Sequence, residues 1–218
     1  MAEQAVSTIN VFLADDHTVV RQALAEMIAK EPEFRIVGQC GEGLKVTEAV
    51  LDAQPDVLVL DISMPGLNGL DICRAVTRKM KDLAVLILSM HDDEEFVAKA
   101  LENGASGYLM KEADNGQLIA ALRTVARKEL YLAPGIPSTV LRRLGHSADD
   151  PYDRLTMRER QVFQLVAEGK TNREIAKELG LKIKTIDTHR TRLMRKMDIH
   201  DQTTLVKDAI RRRIVSVD

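Results

Sequence analysis

Four short apolar segments of this 218-residue chain each run into a polar side chain that can do chemistry. Ile9-Asn-Val-Phe-Leu-Ala14 meets Asp15-Asp16, Val57-Leu-Val-Leu60 meets Asp61, Ala84-Val-Leu-Ile-Leu88 meets Ser89, and Ser106-Gly-Tyr-Leu-Met110 meets Lys111. Brought together, they offer three carboxylates, a hydroxyl and an ammonium. Carboxylates held close repel, and one takes up a proton unless a cation sits among them. A hard divalent ion suits an all-oxygen site and keeps several waters, so two or three carboxylates suffice. Such an ion draws in a phosphoryl group and spreads the charge of its transfer. Asp61 can then act as nucleophile, since carboxylates form aspartyl-phosphates. Lys111 would pair with a phosphoryl oxygen as a point charge, and Ser89 would hydrogen-bond another.

The chain must first set these residues side by side. Each run is apolar, β-branched or aromatic, like strands buried on both faces of a parallel sheet. Helical periodicity follows each: Val20, Leu24, Met27 and Ile28 after the first, then Leu44 to Leu51, Leu70 to Val76, Phe96 to Leu101 and Leu118 to Val125. A weaker strand, Phe34-Arg-Ile-Val37, lies between the first and third. Five strand–helix alternations predict an α/β fold, a five-stranded doubly wound parallel sheet with helices on both faces. Right-handed crossovers place all the carboxyl ends on one edge, where such sheets bind ligands. Taken singly, each polar residue has an ordinary use: Asp15, Asp16 and Ser89 as helix caps, Asp61 as the start of the Pro65-Gly66 turn, Lys111 as a surface lysine.

As a set, Asp15-Asp16, Asp61 with Met64-Pro65-Gly66, Ser89, and Tyr108 three residues before Lys111 resemble the receiver domain of bacterial two-component response regulators, a flavodoxin-like fold. The resemblance covers roughly the first 128 residues. It implies that Asp61 is the phosphoacceptor, and that Asp15, Asp16, Asp61 and the backbone carbonyl of Ser63 hold Mg²⁺ or Mn²⁺. It also implies that Ser89 and Tyr108 move together when the phosphoryl group arrives. His91, beside Asp92-Asp93, reads as part of a solvated loop.

Charge divides the chain. Residues 1–128 carry 13 Lys+Arg against 20 Asp+Glu, a net of −7, whereas residues 129–218 carry 18 against 13, a net of +5. An acidic front on a basic back suggests a regulatory module joined to one that meets a polyanion. Cys40 and Cys73 lack CxxC spacing and read as free thiols in a reducing cytosol. No apolar stretch is long enough to span a membrane and no secretory signal precedes the first strand, so a cytoplasmic protein without membrane partners is expected. Residues 131–153 gather Pro, Gly, Ser and Asp and read as a linker with a short helical piece around Thr139 to Leu144. The expected division is 1–130, 131–153 and 154–218.

The last part reads as a small helical domain. Thr156-Met-Arg-Glu159 and Thr171-Asn-Arg-Glu174 are capping boxes, and Gly169 and Gly180 are stops. A third helix is predicted from about Thr185 to Met197 and a fourth from about Thr203 to Ile214. Two short helices joined by a tight turn form a helix-turn-helix, whose second helix enters the major groove of double-stranded DNA. Ile186, Leu193 and Met197 make the core stripe of that helix, with His189 and Met194 at its margins. Asp187, Thr188 and Thr191 face out near its start, placed to reach base edges, and Thr171, Asn172 and Thr185 are further expected DNA-binding positions. Lys184, Arg192, Arg195 and Lys196 suit phosphate contact, and Arg190 stands between core and outward face.

The segments Leu155-Thr-Met-Arg-Glu-Arg160, Lys170-Thr-Asn-Arg-Glu-Ile-Ala176 and Thr185-Ile-Asp-Thr-His-Arg190 resemble the LuxR-type helix-turn-helix, and the whole chain is similar to NarL/FixJ-type response regulators. Lys182 stands where relatives commonly have a capping Ser, and a lysine there opposes the helix dipole. The resemblance implies a homodimer on DNA paired through the last helix, around Thr204, Leu205, Lys207, Asp208 and Ile210. It also implies a sensor histidine kinase as phosphodonor. The expected function is a transcription factor switched by Mg²⁺-dependent phosphorylation of Asp61, with no catalysis beyond its own phosphorylation and dephosphorylation. The charge asymmetry suggests that the front part covers some of the recognition helix at rest. A regulator that binds DNA regardless of phosphorylation is one alternative. An aspartyl-phosphate phosphatase is another, although Ser63 occupies the place where that chemistry wants a second Asp.

Overall fold

The computed structural model of the chain describes residues 8–137, 139–143 and 150–215. Strands β1 (Ile9–Ala14), β2 (Phe34–Cys40), β3 (Val57–Asp61), β4 (Ala84–Ser89), β5 (Gly107–Met110) and β6 (Tyr131–Leu132) form one parallel sheet, ordered β2-β1-β3-β4-β5-β6. The sixth strand is an addition to the expected five. Tyr131 and Leu132, which the composition assigns to the linker, pair with Gly107 and Tyr108. Two residues are too few to show any alternation, so pattern alone could not place them.

The strands alternate their side chains between two cores. Leu58, Leu60, Val85 and Ile87 meet α2 (Gly43–Ala53), α3 (Gly69–Lys79) and α4 (Glu94–Glu102) on one face. Val57, Val59, Leu86 and Leu88 meet α1 (Thr18–Ile28) and α5 (Asn115–Ala126) on the other. Every residue of β3 is buried, which explains its unbroken apolar run. Helix α3 begins directly against the end of that strand. A Cβ on Gly69 would lie 2.0 Å from the carbonyl oxygen of Asp61, so only glycine lets the helix approach so closely.

A short helix, α6 (Val140–Arg143), follows the sheet, within the stretch where a helical piece is expected; Leu144 lies outside the described residues. A 3-10 turn at Pro151–Arg154 leads into α7 (Met157–Ala167), α8 (Asn172–Leu179), α9 (Ile183–Met197) and α10 (Gln202–Arg211). Both expected capping boxes form, Thr156 with Glu159 and Thr171 with Glu174. Gly180 closes α8 in the left-handed conformation, at φ 64°. Phe163, Ile175, Ile186, Leu193 and Leu205 form the separate core of this unit. Helix α9 starts two residues earlier than expected, with Lys182 at the N-cap and no side-chain cap. The unit packs α7 against α3, and the polar residues Glu159, Arg160, Gln161 and Gln164 of α7 are buried. No described helix is long and apolar enough to cross a membrane.

Replacing Gly69 by Ala should destabilise the chain by about 3 kcal/mol or more, because the Asp61–Ile62 backbone leaves the methyl no room. Chemical denaturation of the variant checks this.

Candidate functional site

Parallel register brings the strand ends level. Ala14 pairs with Leu60, Asp61 with Leu88, and Ser89 with Met110, so the residues at and just beyond these ends share one rim. Asp15 and Asp61 are buried there, and Lys111 reaches between them, its Nζ 2.9 Å from Asp15 Oδ2 and 2.8 Å from Asp61 Oδ2. The ammonium donates a directed hydrogen bond to Asp15. Towards Asp61 it makes a close charge contact outside hydrogen-bond geometry, which leaves Asp61 Oδ2 buried without a hydrogen-bond partner. Asp61 Oδ1 accepts the Ser63 N–H at 3.2 Å. Asp16 stands beside them, half-buried, its Oδ1 2.8 Å from His17 Nδ1 in a contact outside hydrogen-bond geometry.

One ammonium therefore serves two of the three acids, and the third, Asp16, faces the His17 ring. Burial raises the pKa of Asp61 above the ordinary carboxylate value; Lys111 opposes the rise and Asp15 adds to it. Burial works against the Lys111 ammonium, but its two carboxylate partners outweigh that and hold its pKa above the usual lysine value. Three clustered carboxylates, with more negative charge than one ammonium offsets, fit a hard divalent cation. Ligand atoms of Asp15, Asp16, Asp61 and His17 all lie within 4.8 Å of one another. His17 belongs to no motif, and its one signal in the sequence is its place beside the acidic pair. It holds the N-cap position of α1, and Asp15 Oδ1 accepts its backbone N–H at 2.8 Å. Neither Asp15 nor Asp16 caps that helix.

Ser89 and Tyr108 both hold the loop after β4. Ser89 Oγ accepts the His91 N–H at 3.0 Å, and the Tyr108 hydroxyl donates to the His91 carbonyl at 2.7 Å. Burial pushes the Tyr108 phenol up to about 12. Ser63 is exposed next to Asp61. The His91 ring lies against Phe96, 5.6 Å between centroids.

On the helical unit, Ile186, Leu193 and Met197 of α9 are buried, while Lys184, Asp187, Thr188, Thr191, Arg192 and Arg195 are exposed. Lys184, Arg192 and Arg195 have no ion pair among the described residues. The Thr188 and Thr191 hydroxyls donate to the carbonyls of Lys184 and Asp187, and Thr185 is half-buried. Thr171 is engaged in its capping box. Asn172 donates to Asp187 at 2.6 Å and accepts from Arg190 at 3.1 Å, and Arg190 also reaches Gln202 at 2.9 Å. Lys196 turns back to the buried Glu159 at 2.6 Å, which makes it part of the fold. The expectation that the front part covers the recognition helix is not met, because the contact runs through the polar face of α7. In α10, Leu205 is core and Asp208 is paired with Arg212, whereas Thr204 and Lys207 are exposed.

The first unit is thus a doubly wound α/β domain with an acidic pocket at its strand ends, followed by a helix-turn-helix unit. Residues 11–123 match the response regulator receiver domain, and residues 153–209 match the bacterial regulatory proteins of the luxR family. The chain is 34% identical over 215 residues to the oxygen regulatory protein NreC of Staphylococcus carnosus (strain TM300), covering 95% of this chain and 99% of that protein. It is 33% identical over 210 residues to the transcriptional regulatory protein LiaR of Bacillus subtilis (strain 168), covering 95% and 100%. A crystal structure of the response regulator ChrA, of a heme-sensing two-component system, superposes with a TM-score of 0.51 at 29% identity, covering 96% of this chain and 100% of that one. The chain belongs to the two-component response regulators of the NarL/FixJ type, with a receiver domain followed by a LuxR-type DNA-binding domain.

Because its folded pKa is raised, an ionised Asp61 costs stability at neutral pH, a cost that disappears when the pH falls below the ordinary carboxylate value. Asp61→Asn should therefore raise the Tm by a few degrees at pH 7, with the gain fading below about pH 4. Thermal unfolding of both proteins across that range is the measurement.

Proposed function

We propose that Asp61 is the phosphoacceptor of a switch that controls DNA binding by the second domain. The observation that carries this is the buried Asp61 carboxylate, sharing one ammonium with Asp15 and keeping an oxygen without a hydrogen bond. An oxygen of Asp61 attacks the phosphorus of a phosphohistidine on a sensor kinase, or of a small acyl phosphate. The donor's P–N or P–O bond breaks and its electron pair leaves with the donor. Lys111 meets the new charge at one phosphoryl oxygen, and the Ser89 hydroxyl turns to another. Mg²⁺ or Mn²⁺, held by Asp15, Asp16, Asp61 and the Ser63 carbonyl, would offset the remaining negative charge. Hydrolysis of the acyl phosphate resets the switch, and the chain needs no other catalysis.

The division 1–130, 131–153 and 154–218 assigns this chemistry to the first part and DNA to the last, in the cytoplasm. Arg192 and Arg195, exposed on α9, and Lys184 at its start supply phosphate contacts, while Asp187, Thr188 and Thr191 face the base edges. Two copies paired through α10 would read two half-sites.

A DNA-binding titration with and without acetyl phosphate and Mg²⁺ tests the switch. Wild type should bind at least tenfold tighter when phosphorylated, and Asp61→Asn should show no change; equal affinity in both states would refute it. Arg192→Ala should weaken binding to all sequences alike and reduce the salt slope by about one, as loss of a phosphate contact does.

A further inference from the structure

Helix α9 contains a single acid, and it stands on the outward face. Asp187 is exposed there beside Lys184, yet forms no ion pair among the described residues. A neutral donor holds its carboxylate instead. Asn172, at the start of α8, donates from Nδ2 to Asp187 Oδ1 at 2.6 Å. The Asn172 amide is itself fixed. Its Oδ1 accepts from one arm of the Arg190 guanidinium at 3.1 Å, and the other arm donates to Gln202, at the start of α10, at 2.9 Å. Three helices thus converge to set the orientation of one exposed carboxylate. Among the described residues Asp187 Oδ2 accepts no hydrogen bond, which leaves it for a donor from outside the chain.

We infer that Asp187 reads cytosine in the major groove, its Oδ2 accepting a hydrogen bond from the N4 amino group. The inference rests on α9 as the reading helix. A carboxylate accepts hydrogen bonds and donates none. Phosphates flank the groove, so a carboxylate placed in it weakens binding to DNA of any sequence. Only a base edge that offers a donor offsets that cost. Guanine shows two acceptors, N7 and O6, and thymine shows O4 beside its methyl group, so both repel a carboxylate. Adenine sets its donor next to the N7 acceptor, whereas cytosine shows its N4 amino group alone. The bond from Asn172 sharpens the choice: it occupies Oδ1, and the one acceptor left over matches the one donor group of cytosine. Arg190 spends its guanidinium on Asn172 and Gln202, which makes it a positioning residue behind the contact.

Selection from a library of DNA duplexes with a randomised core, by the full-length chain in the presence of acetyl phosphate and Mg²⁺, provides the test. Wild type should select a cytosine whose replacement by thymine or guanine weakens binding at least tenfold in a titration. In Asp187→Asn the bond from Asn172 can persist, while the outward acceptor becomes an amide donor. That variant should keep the rest of the consensus and lose the preference for this cytosine in favour of guanine or thymine. An identical consensus for wild type and Asp187→Asn overturns the inference, as does a change confined to positions where wild type prefers another base. Thr188→Ala and Thr191→Ala separate this outcome from the reading beneath it. If either alters the consensus while Asp187→Asn does not, the cytosine assignment alone falls. If none of the three alters it, α9 is not the reading helix and the inference falls with that reading.

Discussion

Two buried carboxylates share a single ammonium at the rim of the sheet, and the surrounding fold exists to keep them there. Like charges taken out of water move apart unless something rigid holds them, and held together they stay ionised only with a cation among them. Here the rigidity comes from β3, which is buried on both faces, and from the level register of its neighbours. Gly69 then lets α3 begin against the backbone of Asp61, so the loop between them is short and closely held. The pocket is poised because its negative charge exceeds what Lys111 can balance.

The DNA-binding domain relies on a different economy. Its core is small, and its helices are fixed largely at their ends by two capping boxes and the left-handed Gly180. On the outward side, Asn172 bridges Asp187 and Arg190, and Arg190 continues to Gln202. This chain of hydrogen bonds ties α8, α9 and α10 together at the start of the reading helix. Arg192 and Arg195 extend beyond it into solvent. Positioning and contact are thus divided between neighbouring residues of one helix.

Much of this was legible in the sequence, for identifiable reasons. Apolar runs that stop at Asp15, Asp61, Ser89 and Lys111 reveal buried parallel strands and their reactive edge, because period and punctuation are local properties. Capping boxes at Thr156 and Thr171 are local too. The start of α9 is not legible because Lys182 offers no capping side chain, yet the helix begins beside it. Contacts between the domains left no trace. Gln164 and Arg160 look like part of an ordinary solvated helix face, and only the fold shows that Asp71, Met64 and Asn68 lie opposite them. A polar residue announces its need for a partner without saying which one it will find.

The position of β1 has a consequence for how the chain is made. It is an inner strand, flanked by β2 and β3, and its side chains Val11 to Ala14 are buried. During synthesis this apolar segment emerges with neither neighbour available, since Phe34–Cys40 and Val57–Asp61 come later. Sheet pairing of this non-local kind is slow and leaves sticky edges exposed. The helical C-terminal domain, built from contacts near in sequence, faces no such delay. Newly made chains should therefore depend on chaperones chiefly while the first sixty or so residues wait on the ribosome for the centre of their sheet to close.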